Sequence, residues 1–484
     1  MSDTVRTRYA PSPTGFMHVG NLRTALYEYL IAKHKDGKFI LRIEDTDQER
    51  YVEGAVDVIY NTLKIAGLEH DEGPDIGGDY GPYVQSERKD MYLPYAKQLV
   101  EAGKAYYCFC TKERLDSLHE NEEFSSGYDR HCRNLPQDEV QRLLDAGTPY
   151  VIRQKMPLEG STTFVDSVFG SITVENSELQ DQILIKTDGY PTYNFADVID
   201  DHTMGITHVV RGCEYLSSTP KYNLLYEAFG WEIPTYVHLP LIMGKNEDGS
   251  VSKLSKRHGS TGFEDLINEG YLPQAIINYI ALLGWCPKGN REIFTLKELC
   301  ENFDESGISK SPAVFDYEKL AWFNAEYIKA MPLEEFAEIA LPYFKQAIPD
   351  KDLEWNKVAS ILQQRVTQLT QIPDMIRFLD KQPEYEKELF VNKKSKTTLE
   401  NSPEMLRLVI DGLEKLPVWD NQSIHDCLIG IAESNGLKNG TVMWPARIAA
   451  SGQTVTPGGA VEILDILGRD ESMARLHKGL DKLI

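Results

Sequence analysis

A chain of 484 residues, 42% hydrophobic and 26% charged, has an ordinary globular composition and room for about three or four domains. Its net charge of −23 argues against nonspecific binding of nucleic acid through phosphates, while leaving room for a folded RNA met by a local basic track. No apolar run approaches the roughly 18 residues of a membrane span and Met1–Thr7 is no signal peptide, so a cytoplasmic protein is expected.

Val5 to Ala10 reads as a short strand, rich in β-branched and aromatic residues. The turn Pro11-Ser12-Pro13-Thr14-Gly15 follows, and then a helix whose apolar positions Leu22, Ala25, Leu26, Tyr29 and Leu30 keep the spacing of one buried face. A strand, a turn and a helix N-terminus make an anion site, because unpaired N–H groups and the helix dipole point at the turn. His18 and Gly20 sit there, one able to donate to a phosphate oxygen, the other letting a nucleotide approach the backbone. Phe39 to Ile43 predicts a second strand, ending in the acidic run Glu44-Asp45-Thr46-Asp47, as suits a ligand crevice at a strand's C-terminal edge. Tyr51 to Leu68 and Arg88 to Ala102 are helical by period, joined through the glycine-rich loop Asp71 to Gly81.

The next segment departs from this alternation. Seven cysteines form no disulfide-like framework, so thiols or metal ligands are expected rather than bridges. Cys108-Phe109-Cys110 and the later Tyr128-Asp129-Arg130-His131-Cys132 have the residue types of a zinc knuckle or of buried, unmetallated thiols. Val151 to Thr173 alternates in short strands. The sheet is expected to resume with Gln182 to Lys186, then Tyr190 to Ile199 and Thr207 to Arg211, giving an α/β, doubly wound parallel fold split by an insertion.

An apolar run, Val237 to Met243, leads into a polar stretch with a tight turn at Asp248-Gly249 and then Lys253-Leu254-Ser255-Lys256-Arg257. Two lysines around a serine on a loop beside a strand end can close over a polyphosphate. Neither a P-loop nor a well-placed dinucleotide fingerprint competes. Beyond Ala321 the spacing of Val358, Ile361, Leu362, Arg365, Val366 and Leu369, and of Val461, Leu464, Ile466 and Leu467, is helical, with no strand-rich block. This tail carries −5 of the charge against −18 for the first 320 residues, which fits an RNA-facing role. Its compact basic cluster, Lys393-Lys394-Ser395-Lys396, reads as a solvated face.

His18-Val19-Gly20-Asn21 and KLSKR resemble the HIGH and KMSKS signatures of class I aminoacyl-tRNA synthetases. With the flanking PSPTG, the run LRIEDTD from Leu41 to Asp47 and DGYPTYNFADVIDDH from Asp188 to His202, the chain resembles the bacterial-type glutamate–tRNA ligases over nearly its whole length. The resemblance implies a Rossmann-like catalytic domain in two halves (1–104 and 182–258), an inserted acceptor-stem domain (105–181), a stem-contact domain (259–320) and an all-α anticodon-binding region (321–484). It implies ATP with Mg2+, L-glutamate and tRNA(Glu) as ligands; for the oligomeric state, which the sequence leaves open, a monomer is the default expectation.

By motif position it also implies roles for single residues. His18, Lys253 and Lys256 are the expected catalytic groups, with Gly20, Asn21, Glu214, Leu241, Ile242, Ser255 and Arg257 completing an ATP site. Arg8 and Arg211 would meet the carboxylate of glutamate, Glu44 the ammonium, and Tyr193 would serve as a hydroxyl donor, with Ala10 and Ser12 in close contact. For zinc the family's fourth ligand lies two residues after the third cysteine. Asn134 stands there, leaving His131 or Tyr128 beside Cys108, Cys110 and Cys132. Arg365 falls where an anticodon-reading arginine implies strictness for glutamate tRNA. Three relatives compete: a glutamine–tRNA ligase, opposed by PSPTG; a shortened glutamyl transferase, opposed by the helical tail; and a non-catalytic tRNA-binding paralogue, opposed by His18 and the lysine pair.

Overall fold

The structure, a computed structural model, describes residues 4–46, 52–119 and 127–484. Its strands are β1 (Arg6–Tyr9), β2 (Lys38–Leu41), β3 (Ala105–Cys108), β4 (Val151–Gln154), β5 (Ser161–Asp166), β6 (Gly170–Glu175), β7 (Ile183–Ile185), β8 (His208–Gly212), β9 (Thr235–Leu239), β10 (Ile242–Lys245), β11 (Val251–Lys253) and β12 (Ala313–Phe315). The expected strand–turn–helix forms from β1 into the helix Val19–His34. This helix starts ahead of its apolar periodicity because His18 caps it, its Nδ1 accepting the Gly20 N–H at 3.0 Å. Val19, Leu22, Leu26 and Leu30 are fully buried, and each such side chain stabilises the fold by about 1.5–3 kcal/mol.

β1 and β2 pair in parallel, Tyr9 opposite Leu41. Asp47 and Tyr51, which end the expected acidic run and open the expected helix, lie outside the described residues; the helix itself is Ala55–Ala66. β8 and β9 are also parallel, with Arg211 opposite His238, and β5 joins β9 in parallel through Asp166. The Thr207 N–H donates to the Arg6 carbonyl at 3.0 Å, bringing the start of β8 beside β1. Parallel strands joined through helices make the doubly wound, Rossmann-like α/β fold with its insertion.

Two expectations about the sheet are corrected. Tyr190–Ile199 is no strand: Tyr193–Thr203 is a helix. Its aromatic and β-branched content resembles a strand, but Phe195, Ala196 and Ile199 fall on one face and share a core with Tyr92, Leu99, Tyr222 and Leu225. Gln182–Lys186 does not rejoin the parallel sheet either. β7 pairs antiparallel with β4, and β4 with β3, in a three-stranded sheet apart from the one that holds β8 and β9. The apolar run Val237–Met243 is broken at Pro240 into β9 and β10, as proline in a central strand requires. β10 then pairs antiparallel with β11 and parallel with β12.

The chain divides into two compact units, Met1–Leu266 with Ile276–Asp316 and Ile267–Ala275 with Tyr317–Ile484. The second is built from helices, with Phe336, Phe344, Leu362, Leu379 and Leu406 in its core and no strand among the described residues. The boundary expected at 320/321 falls within the helix Tyr317–Ala330. Arg365 sits not on a helix but in the turn after Trp355–Leu362, exposed, its N–H bonded to the Leu362 carbonyl at 2.7 Å. Among the described residues no helix is long and apolar enough to cross a membrane.

Candidate active site

A cleft of about 360 Å³ opens where β1, β8 and the start of the helix Val19–His34 converge. It brings together Arg8, Ala10, Ser12, His18, Gly20, Asn21, Tyr193, Arg211, Glu214, Leu241, Ile242 and Lys253. Glu44, Ser255, Lys256 and Arg257 lie outside its lining.

His18 has one ring nitrogen committed. Because Nδ1 accepts from Gly20, the neutral ring carries its proton on Nε2, as a donor. Burial, and then the charge of Lys253, push the imidazole below its ordinary pKa, so the neutral form prevails at pH 7. Lys253 is the last residue of β11, opposite Met243, and exposed. The rest of the lysine loop is more ordered than its composition implies. Lys256–His258 forms a short 3₁₀ turn capped by Ser255, whose N–H donates to His258 Nδ1 at 3.1 Å. His258 Nε2 lies 2.9 Å from Asn246 Oδ1, tying the turn back to the hairpin. Its ring rests on Gly244, where a Cβ would come within 2.5 Å of it, so a side chain there would displace the turn. Arg257 donates to Ser252 Oγ at 2.6 Å, and Lys256 Nζ stands 5.8 Å from the centre of the Phe16 ring. Sequence reasoning missed His258; its position directly after the lysine motif was the available signal.

The floor of the cleft is a buried charge cluster. Arg8 donates to Asp201 (2.9 Å), Asp197 (3.1 Å) and Glu28 (3.3 Å). Arg42 donates to Asp201 (2.8 Å), Asp197 (2.9 Å) and Glu44 Oε1 (3.0 and 3.2 Å). Two guanidiniums thus face four carboxylates, with Arg211 a third cation 3.9 Å from Asp197. Burial pushes Glu44 up to about 8 against the pull of Arg42, and Glu44 Oε2 is buried with no partner. An ammonium group reaching Glu44 would favour its ionised form. Arg23, also missed in the sequence, donates to the Leu283 carbonyl (2.9 Å) and to that of Pro240, holding the turn that carries Leu241. It looks in sequence like any solvated helix position.

In the insertion, the thiols of Cys108, Cys110 and Cys132 lie within 4.8 Å of one another. The Tyr128 hydroxyl completes the group, 3.2 Å from Cys108 Sγ and 3.6 Å from Cys110 Sγ. His131, next to Cys132 in a tight turn, is exposed and does not join the group, a correction to its place among the expected ligands. The hydrogen bond from Cys132, and against burial that from Tyr128, bring the Cys108 thiol down to about 4. Three thiols, one of them acidic, and a phenol oxygen are a donor set that fits zinc.

Residues 4–322 match the family model described as tRNA synthetases class I (E and Q), catalytic domain, and residues 335–480 match an anticodon binding domain. The fold and the cleft are those of a class I aminoacyl-tRNA synthetase. Glutamate–tRNA ligases of Clostridium kluyveri and Clostridium botulinum (strain Hall) are each 58% identical to the chain, over 99% and 100% of it and 98% and 99% of their own lengths. A crystal structure of a glutamate tRNA ligase from Elizabethkingia meningosepticum, in complex with its amino acid, superposes with a TM-score of 0.90 at 36% identity, covering 100% of both chains. The chain belongs to the glutamate–tRNA ligases.

Proposed function

We propose that this chain joins L-glutamate to tRNA(Glu) in two steps. A glutamate α-carboxylate oxygen attacks the α-phosphorus of ATP, breaking the bond to pyrophosphate and leaving glutamyl-adenylate. A hydroxyl of the tRNA's terminal adenosine then attacks the glutamyl carbonyl and AMP departs. Neither step needs a covalent enzyme intermediate, so the protein's part is alignment and charge neutralisation.

The observation that carries the reading is one cleft lined at once by a helix N-terminus with His18, by Lys253 and by two arginines. His18 Nε2–H and the helix N-terminus hold the phosphates, with Gly20 giving room and Asn21 beside it. Lys253 and Lys256, supported by Ser255 and Arg257, close on the leaving pyrophosphate. The backbone at Leu241 and Ile242 takes the adenine and Glu214 the ribose. Mg2+ arrives as the counter-ion of ATP. Arg8 and Arg211 meet the glutamate carboxylates, Tyr193 donates a hydroxyl, Ala10 and Ser12 give close contact, and Glu44 with its neighbours takes the ammonium. Cys108, Cys110, Cys132 and Tyr128 would hold zinc, which supplies a structural cross-link in the insertion. The protein acts as a cytoplasmic monomer.

The test is charging of purified tRNA(Glu) and tRNA(Gln) with labelled glutamate or glutamine. Glutamate alone should be attached, and only with ATP. Attachment of glutamine would favour the glutamine-specific relative, and attachment of neither the non-catalytic one.

A further inference from the structure

Arg211 is held from behind. On the next strand of the sheet His238 is its register partner, and Arg211 Nε donates to His238 Nε2 at 3.2 Å. One strand further on, Asp166 Oδ2 lies 2.6 Å from His238 Nδ1 and also accepts the His238 backbone N–H at 3.1 Å. His238 is 0% and Asp166 2% exposed, and neither lines the cleft.

A proton count orients the chain of bonds. Although burial raises it, hydrogen bonds from His238 and from the Phe169 and Val168 N–H groups hold the Asp166 carboxyl below its ordinary range. Ionised Asp166 can only accept, so His238 carries its proton on Nδ1 and offers Nε2 as an acceptor. Thr219 Oγ1 also approaches Nε2, at 3.3 Å, but its one hydrogen goes to the Tyr215 carbonyl at 2.9 Å. It accepts from Arg211 Nη2 at 2.9 Å instead. The Arg211 Nε–H therefore takes the histidine lone pair. Nε and Nη2 are both engaged, while Nη1 reaches no nearer than 3.9 Å to Asp197.

We infer that Asp166 and His238 are positioning residues for the substrate's side-chain carboxylate: Asp166 sets the histidine tautomer, and His238 in that tautomer locks Arg211 with Nη1 left for the ligand. The inference rests on the reading of Arg211 as a carboxylate-binding residue. Asp166 belongs to β5, in the inserted segment, so the insertion contributes to amino-acid selection without touching the amino acid.

Asp166→Asn tests it. An amide N–H facing Nδ1 turns the histidine to the other tautomer, so that Nε2–H meets the Arg211 Nε–H, donor against donor. The KM for glutamate should rise about tenfold or more, as when the group orienting a buried histidine is lost, while the KM for ATP stays within about twofold. His238→Gln keeps an acceptor toward Arg211 and should recover much of the loss seen in His238→Leu. In an Arg211→Lys background Asp166→Asn should add nothing further, since the group it orients is gone. Equal rises for glutamate and ATP, additivity in that background, or equal KM values for His238→Gln and His238→Leu would overturn the inference, and the last comparison decides if Asp166→Asn fails to fold. Should Arg211→Lys alone leave the glutamate KM unchanged, the carboxylate reading of Arg211 itself falls. If Arg211→Lys raises it and Asp166→Asn does not, only the positioning role is lost.

Discussion

The Val19 N–H donates to the Thr261 carbonyl at 2.8 Å, and the Phe263 N–H to the Met17 carbonyl at 3.1 Å. The first residue of the capped helix is thereby joined to the segment that leaves the lysine loop. On its other side the loop is held by β11, so both stems are anchored beside the helix start that lines the cleft. Lys256 stands on the part between, exposed, with Gly249 (φ 82°) and Gly259 (φ 117°) flanking it.

This arrangement sets the expectation for Lys256→Ala. Removing an exposed side chain vacates no core volume, so folding and tRNA binding should stay close to normal. The lysine's charge matters most as pyrophosphate leaves, so the loss should fall on kcat. Single-turnover adenylate formation should slow by a factor of about 10² to 10³, the usual effect of losing one such contact. A rate within about threefold of the unaltered protein, well short of that factor, would reduce the loop to a solvated turn.

Glu44 predicts a pH dependence. Its carboxyl, pushed up to about 8, is mostly protonated at pH 7, and only the ionised form attracts an ammonium. The KM for glutamate should therefore fall as pH rises from 6.5 toward 8 and then level off. Glu44→Gln should raise that KM and flatten the profile. The same shift acts on stability with a definite sign. A carboxyl raised on folding binds its proton more tightly in the folded state, so its contribution is lost as pH rises from the ordinary carboxylate range to about 8. Glu44→Gln should lift the Tm more at pH 8 than at pH 5. A flat KM profile in the unaltered protein would remove Glu44 from ammonium binding.

What could be read in advance was local. The strand, turn and helix around His18 are written in neighbouring residues, through β-branched spacing, Pro/Gly punctuation and one buried helical face. Pairings over long separations were not. β7 looks like any parallel strand until β4 claims it, and Tyr190–Ile199 has strand-like residues whose helical spacing matters only once Tyr92 and Tyr222 pack against it. The charge cluster was half visible. Arg8, Glu44 and Arg211 stand out by motif position, whereas Arg42, Asp197 and Asp201 look solvated until three distant segments bury them together. The Asp166–His238 pair carries no local signal, because its geometry arises from three adjacent strands.

For the cysteine cluster, protein purified without chelator should contain about one zinc per chain, as one four-ligand site requires. Tyr128→Phe should weaken retention against a chelator, and His131→Ala should leave it unchanged, because His131 stands apart from the thiols. Metal-free protein with normal charging activity would leave the three cysteines as plain thiols, two buried and Cys110 half-buried.

Arg365, exposed on its turn in the helical unit, is free to meet a base, and an arginine fork reads a base edge well. Arg365→Gln should narrow the difference in charging rate between tRNA(Glu) and tRNA(Gln), with the KM for ATP unchanged. An unaltered ratio would place anticodon discrimination elsewhere among the helices.

Activation of glutamate on ATP in this cleft is read by exchange of labelled pyrophosphate into ATP with tRNA(Glu) present. Exchange should depend on glutamate, fail with glutamine, and drop with His18→Ala as it does with Lys256→Ala. Exchange absent with glutamate, or supported equally by glutamine, would show that the cleft does not activate glutamate selectively.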